Sequence, residues 1–339
     1  MKSVNEFSEN LESARTGDQK AFEQLIEPYR RELLVHCYRI LGSFEDAEDM
    51  LQETFLRAWK RLDSFEGRSS LRTWLYKIAT NASLDGLDSR RVRGLPRELY
   101  PSGDPTQPLP PPSQVVNWVE PLPDEWIDDQ PNIYPEARYE VRESITLAFI
   151  AALQKLPGRQ RAVLLLCDVM GWSSAEAAQI LDMTTAAVNS ALQRARETMK
   201  QPLERKTRPA GLNDQLSALL ARYVKAWETA DSAALIAVLR EDVALTMPPL
   251  PVWFGGRADI QAFLDGFLFR SMDPFKVSLR AVRANGSPAF AVYQMDKEEN
   301  FRAAAIHILT IEHGQIAEVN DFLTFDSQLF SRFHLDPMV

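Results

Sequence analysis

A chain of 339 residues with 45% hydrophobic and 25% charged side chains is long enough for two or three domains, each able to bury a core. Its two cysteines, Cys37 and Cys167, lie far apart and outside any metal-ligand spacing, which argues against a zinc site or a disulfide framework and fits a reducing cytoplasm. No apolar run approaches the roughly 18 residues needed to span a bilayer, and the polar start from Lys2 to Glu12 is no signal peptide. A cytoplasmic protein with no membrane contact, no metal and no cofactor is expected.

The net charge of −9 argues against a nucleic-acid binder until it is divided along the chain. Residues 1–93 carry 15 basic and 16 acidic side chains, residues 94–140 carry 2 and 9, residues 141–209 carry 10 and 6, and residues 210–339 carry 11 and 16. Acidity is concentrated in a middle segment and the tail, whereas residues 141–209 keep the positive balance of a phosphate-facing module.

From Ala21 to Arg91 apolar residues recur at three-to-four spacing (Phe22, Leu25, Ile26, Tyr29, Leu33, Leu34), which predicts helices. Asp46 to Trp59 forms one amphipathic helix. Ala47, Met50, Leu51, Thr54, Phe55 and Ala58 pack inward, and Asp46, Asp49, Gln52 and Glu53 stay outside. By themselves those charges are the ordinary solvated face of a helix. A polar loop around Arg68, Ser69 and Ser70 then leads into a helix running towards Arg90, Arg91 and Arg93. Between Arg68 and Arg93 stand six basic and two acidic residues, a setting suited to unpaired bases. Trp74 in that helix reads more readily as core than as a stacking platform.

Residues 94–135 are rich in proline, including Pro108, Pro110, Pro111 and Pro112, and predict an extended linker. Within it, Trp118, Glu120, Pro121, Leu122, Pro123, Asp124 and Trp126 make an island that is either a spacer or a docking segment. Helical periodicity returns from Glu140 to Lys200. Ser173-Ser174-Ala175-Glu176 has the pattern of a capping box, Ala177, Ala178, Ile180 and Leu181 give a compact apolar face, Asp182-Met183 turns, and Val188, Leu192 and Ala195 face inward from a second helix. This fits a helix-turn-helix or a plain helical hairpin with a solvated outer face; the basic continuation through Lys200, Arg205, Lys206 and Arg208 favours the former, whose second helix exposes Thr185, Asn189, Ser190, Gln193, Arg194 and Arg196, side chains able to meet base edges and phosphates in a major groove.

After a basic hinge from Arg205 to Gly211, two helical patterns (Asp214–Ala230 and Ser232–Arg240) precede five strand-like runs: Val243–Met247, Lys276–Ala284, Ala289–Met295, Ala303–Glu312 and Gln315–Phe322. His313-Gly314 is a hairpin turn between the last two. Helices followed by an antiparallel sheet predict an α+β domain.

The runs Asp46–Trp59 and Phe65–Asp85 resemble region 2 of the sigma-70 family of RNA polymerase sigma factors, in its extracytoplasmic-function class, and residues 140–200 resemble region 4 of that class. The C-terminal part resembles the SnoaL-like members of the nuclear-transport-factor-2-like superfamily, through the helix Leu216–Trp227, Asp231, Leu235 and the turn Phe254-Gly255-Gly256-Arg257. The resemblance implies a multi-domain fold: two all-α sigma domains (a region 2 helical bundle over 15–93 and a region 4 helix-turn-helix over 139–206), an acidic linker over 94–138, and a cone-shaped α+β domain over 212–335. It also implies a promoter-specific factor that performs no catalysis itself. Asp46, Asp49, Gln52 and Glu53 would dock on the clamp helices of the β′ subunit of core RNA polymerase, with the β flap as a second contact. Arg68, Ser69, Ser70, Lys77, Asn81, Arg90 and Arg91 would read the −10 promoter element, and the helix starting near Thr184 would read −35. Relatives often carry Lys in place of Asn189 and Arg in place of Ala191, so fewer phosphate contacts are expected here. In the family the linker threads polymerase channels, where its carboxylates could mimic phosphate.

Tyr223, Trp227, Trp253, Tyr293, His307 and Asp321 are candidates to line a C-terminal pocket for a small ligand, and a His–Asp pair could do acid–base work. His307, in the alternating run Ala303-Ala305-His307-Leu309, reads more readily as a hydrogen-bonded core residue. The C-terminal domain is expected to modulate the sigma part in cis; any anti-sigma partner is left open. The alternative is a helix-turn-helix regulator fused to a ligand-binding or enzymatic domain, which leaves the Asp46–Trp59 face and the linker unexplained.

Overall fold

The computed structural model of the chain describes residues 4–88, 93–113, 116–128, 143–204, 214–270, 276–324 and 328–339, and these divide into two units. Among the described residues no helix is long and apolar enough to cross a membrane. The hinge Arg205–Gly211 and the candidate DNA contacts Arg90 and Arg91 lie outside the described residues.

The first unit is helical and takes in residues up to 88, 125–128 and 148–204. Helices α1 (Val4–Arg15), α2 (Gln19–Ile26), α3 (Arg30–Leu41), α4 (Phe44–Lys60) and α5 (Leu71–Asp88) build its first part. The polar opening segment thus contributes a helix. Gly42 ends α3 in the left-handed region, at φ 70°, where glycine carries no Cβ penalty. Ser43 then caps α4 by accepting the Asp46 amide at 3.1 Å. Leu33, Leu34, Ile40, Ala47, Leu51, Ala58, Leu75, Ala79 and Ala82 fill the space between α3, α4 and α5. A buried polar pair, His36 Nε2 and Thr80 Oγ1 at 2.8 Å, crosses that core. Burial holds the His36 ring well below its ordinary range, at about 3, so the imidazole is neutral.

Helices α6 (Leu147–Gln154), α7 (Gly158–Leu164), α8 (Ser174–Leu181) and α9 (Thr185–Glu204) complete the unit. The capping box forms as expected: the Ser173 hydroxyl accepts the Glu176 amide at 3.2 Å while the Glu176 carboxylate accepts the Ser173 amide at 2.8 Å. Asp182 closes α8 at φ 50°, and Val188, Leu192 and Ala195 are buried against it.

The second unit holds residues 93–124, 143–147, 214–270, 276–324 and 328–339 as far as they are described. Helices α10 (Asp214–Glu228), α11 (Ser232–Val238) and α12 (Arg257–Phe263) pack on strands β1 (Leu239–Thr246), β2 (Trp253–Gly255), β3 (Val277–Ala284), β4 (Ser287–Met295), β5 (Phe301–Glu312) and β6 (Gln315–Leu323). A last short helix, α13, covers Gln328–Arg332. The sheet runs β2-β1-β6-β5-β4-β3. It is mixed rather than antiparallel as expected, because β1 pairs with β6 in parallel. The stretch read as a turn, Phe254-Gly255-Gly256-Arg257, supplies the end of β2 before Gly256 turns at φ 82°.

The described part of the proline-rich segment up to Asp124 is bound to this unit. Gly103 donates its amide to Trp253 O at 2.8 Å, and a Cβ there would meet Val252 Cγ2 at 2.6 Å. Trp253 Nε1 donates to Tyr100 O at 2.9 Å. The island then clasps the β3–β4 turn. Leu122 N donates to Asn285 Oδ1 and Asn285 N to Leu122 O, both at 2.9 Å. The buried Asp124 carboxylate accepts Gly286 N at 2.7 Å and pairs with Arg283 at 3.0 Å. Glu120 pairs with Arg332 at 2.7 Å. The island is divided, however: Trp126 belongs to the first unit, where its ring lies 5.8 Å from Phe44.

Candidate functional site

The face expected to meet polymerase is narrower than its sequence pattern. Asp49 and Gln52 are exposed on α4 and Glu53 is half-buried, but Asp46 is buried at 9% exposure. The reason is positional: Asp46 lies in the first turn, folded in beside the Ser43 cap. In its place the stripe continues one turn on to Leu56, an apolar side chain left 54% exposed. Arg57 bridges Glu53 at 2.6 Å and Asp85 of α5 at 2.9 Å. Together with Met50, Ala82 and Gly86 these residues line an open groove of about 440 Å³. Leu56 and Asp85 were missed. The signal for Leu56 was its seven-residue offset from Asp49, which returns it to the same face.

The −10 candidates are spread over a loop and a helix. Arg68, Ser69 and Ser70 are exposed after Gly67, and Arg68 pairs with Glu66. Ser70 Oγ caps α5 by accepting the Thr73 amide at 3.0 Å. Trp74 is half-buried with its ring 5.3 Å from Phe65. Asn81 is half-buried. Lys77 donates to Asp182 Oδ1 at 2.6 Å and to Gln179 O at 3.1 Å, so the HTH turn covers it. Arg72, not singled out from sequence, forks onto Glu32 at 2.8–3.1 Å and lies 5.0 Å from the Tyr76 ring and 5.8 Å from that of Trp172.

On α9, Thr185, Asn189, Ser190, Gln193, Arg194 and Arg196 are all exposed. Two of them are engaged: Asn189 Oδ1 accepts the Ser174 hydroxyl at 2.6 Å, and Arg196 holds Asp168 in a two-point pair at 2.6 and 2.9 Å. Thr185, Ser190, Gln193 and Arg194 keep their side chains free of partners among the described residues. Ala191 is buried at 3% exposure. Its expected contribution to a weaker phosphate contact therefore falls away, because that position faces the core rather than a groove.

The six C-terminal candidates separate into three places. Tyr223 and Trp227 line a cavity of about 10 Å³ with Leu235, Leu239, Leu245, Ile260, Leu264 and Val319, room for about one water. His307 and Asp321 do meet, as register partners on β5 and β6 with Nε2 and Oδ1 3.4 Å apart. The Tyr223 hydroxyl lies 2.9 Å from His307 Nδ1. All three are buried, and burial first, then the Asp321 charge, push the Tyr223 phenol well above its ordinary value. Trp253 instead holds the linker. Tyr293 donates to Asp336 O at 3.0 Å and packs on Phe330.

Three family models match in order: sigma-70 region 2 over residues 25–93, sigma-70 region 4 over 146–199, and a SnoaL-like domain over 220–319. The chain is 43% identical over 330 residues to the ECF RNA polymerase sigma factor SigG of Mycobacterium tuberculosis, covering 95% of this chain and 85% of that one. It is 29% identical over 195 residues to the ECF RNA polymerase sigma factor SigW of Bacillus subtilis, covering 57% of this chain and 94% of that one. The crystal structure of Mycobacterium tuberculosis extracytoplasmic function sigma factor SigJ shares the fold, with a TM-score of 0.58 at 20% identity over 92% of this chain and 99% of that one. With helices, helix-turn-helix and mixed sheet in the matching order, the chain belongs to the extracytoplasmic-function sigma factors, the alternative sigma subunits that bind RNA polymerase and promoter DNA to direct transcription initiation, and carries a SnoaL-like domain behind region 4.

Proposed function

We propose that the groove between α4 and α5 receives the clamp helices of the polymerase β′ subunit, with Asp49, Gln52 and Glu53 as its polar rim and Leu56 as an apolar anchor, and that region 4 makes the β-flap contact. The observation that carries this reading is the exposed Leu56 beside two unburied acidic side chains: a large apolar residue next to charge is what a docking surface leaves uncovered. Asp49→Lys with Glu53→Lys should weaken binding to core polymerase at least tenfold in a fluorescence titration; unchanged affinity would move the docking surface elsewhere.

The exposed loop Arg68–Ser70, with Lys77 and Asn81 behind it, is read as the −10 contact, and the free side chains Thr185, Ser190, Gln193 and Arg194 as the −35 contact. Phosphates supply affinity and base edges supply sequence. The C-terminal domain is read as a modulator acting through the linker, since the Asn285 and Asp124 clasp ties the segment after region 2 to that domain. Its carboxylates Glu120 and Asp124 are already paired with Arg332 and Arg283, so a linker threading a polymerase channel must exchange those partners. The small apolar cavity supports this reading over ligand sensing or catalysis. Removal of residues 212–339 should change transcript yield in vitro; identical yield from every cognate promoter would defeat the modulatory role.

A further inference from the structure

Between Thr185 and Lys200 the recognition helix α9 carries three cations, Arg194, Arg196 and Lys200, and their surroundings differ. Arg194 is exposed, and its side chain has no partner among the described residues. Lys200 meets Glu197 of the same helix at 2.5 Å, with side chains 63% and 69% exposed. A single-point pair of that kind contributes little and exchanges freely. Arg196 is held across elements instead. Its Nε donates to Asp168 Oδ2 at 2.9 Å and its Nη2 to Asp168 Oδ1 at 2.6 Å, and the Asp168 side chain is 32% exposed.

Asp168 reaches Arg196 through a break in helical geometry. Helix α7 runs on into a π turn, Leu165–Val169, closed by the Met170 amide on Leu165 O at 3.0 Å. A π turn admits one residue more than an α turn and recurs at functional sites. Leu165 and Leu166 bury themselves in the core, while Asp168 of the same turn meets α9. By helical spacing Arg196 shares a stripe with Asn189 and Gln193, on the surface assigned above to DNA. Asn189 on that stripe is also engaged, by the Ser174 hydroxyl at 2.6 Å.

A guanidinium fork takes a carboxylate or a phosphate through the same two parallel hydrogen bonds, so Asp168 occupies the donors that a DNA phosphate would use. We infer that Asp168 sets the strength of −35 binding: it withholds Arg196 from the DNA backbone and keeps a negative charge beside it, so that region 4 grips DNA weakly without changing which bases it prefers. This rests on the −35 reading above. Phosphate contacts carry affinity but no sequence information, so withholding one lowers binding to every duplex by the same factor. A region 4 tuned down in this way holds a promoter only when the −10 contacts are made as well, which guards against occupancy of −35-like sequences standing alone.

The test uses holoenzyme assembled from core polymerase and the full chain. Asp168→Asn and Asp168→Ala remove the charge, the first with the shape kept, and Asp168→Glu retains a carboxylate. Each is measured for affinity to a short mixed-sequence duplex across salt concentrations, and for the motif it enriches from duplexes randomised in the −35 window. The two neutral variants should bind the mixed-sequence duplex about three- to tenfold more tightly at low salt, with a log–log salt slope steeper by about one, and should enrich the parent's motif. Asp168→Glu should stay with the parent, and in an Arg196→Ala background Asp168→Asn should no longer steepen the slope. An unchanged slope, weaker binding or an altered motif in both neutral variants overturns the inference; an altered motif would make Asp168 the residue that presents Arg196 to bases. Absence of any enriched −35 motif with the parent sinks the −35 reading itself, and the same library reports it.

Discussion

His36 lies at the crossing of α3 and α5, where its ring is fully buried and its pKa is pulled down to about 3. An unfolded chain would protonate the same ring near pH 6.5. Stability contributed by this site is therefore complete above about pH 6.5 and falls as pH drops towards 3, by about 1.4 kcal/mol per pH unit. His36→Leu should flatten that part of the stability–pH curve in urea unfolding; Thr80 keeps its bond to Tyr76 O at 2.7 Å in the variant. Arg161 is the opposite case, a cation kept protonated although burial lowers its pKa to about 10. It satisfies carbonyls of Ile40, Gln154 and Leu156. Replacing Arg161 with Met leaves those acceptors buried and unpaired, and a loss of about 3 kcal/mol is expected from urea titration.

At the scale of elements, the proposed polymerase and −35 contacts lie on α4 and α9, and each helix depends on its start. Ser43 is fully buried and holds the first turn of α4. Ser43→Ala should cost about 1 kcal/mol in chemical denaturation and loosen the helix that presents Asp49 and Leu56. On α9, Arg194 is exposed with no partner among the described residues, whereas Arg196 is held by Asp168. Arg194→Ala should therefore weaken −35 DNA binding and reduce the salt slope by about one counterion, while Arg196→Ala acts less. A filter-binding series across salt concentrations distinguishes them; equal slopes for both variants would contradict the geometry. Both helices were legible from residues alone, because three-to-four apolar spacing is a local signal, as is the Ser173–Glu176 box that opens α8. The β3–β4 turn was missed despite its Asn285-Gly286 pair, an ordinary hairpin signal that the structure shows with φ 53° and 70°.

At the scale of the whole molecule, the linker clasp is the feature to test. Asp124→Ala with Asn285→Ala removes the bonds to Gly286, Leu122 and Ile145. Limited proteolysis should then cut the segment between Pro101 and Pro121 at least tenfold faster while the sheet core resists; equal rates would show that the remaining contacts suffice.

The amino-acid sequence alone carried the resemblance to the family and the order of its three parts through its motifs, and it specified the helices α4 and α9 with their inward apolar residues, because periodicity and capping are written within a few neighbouring residues. Only the tertiary structure decided that Asp46 turns inward, that β1 runs parallel to β6, that His307 meets Asp321 while Trp253 and Tyr293 lie elsewhere, and that Lys77 reaches Asp182. Each of those pairings joins residues distant along the chain. Their encounter follows from how whole helices and strands pack, and no local pattern carries it.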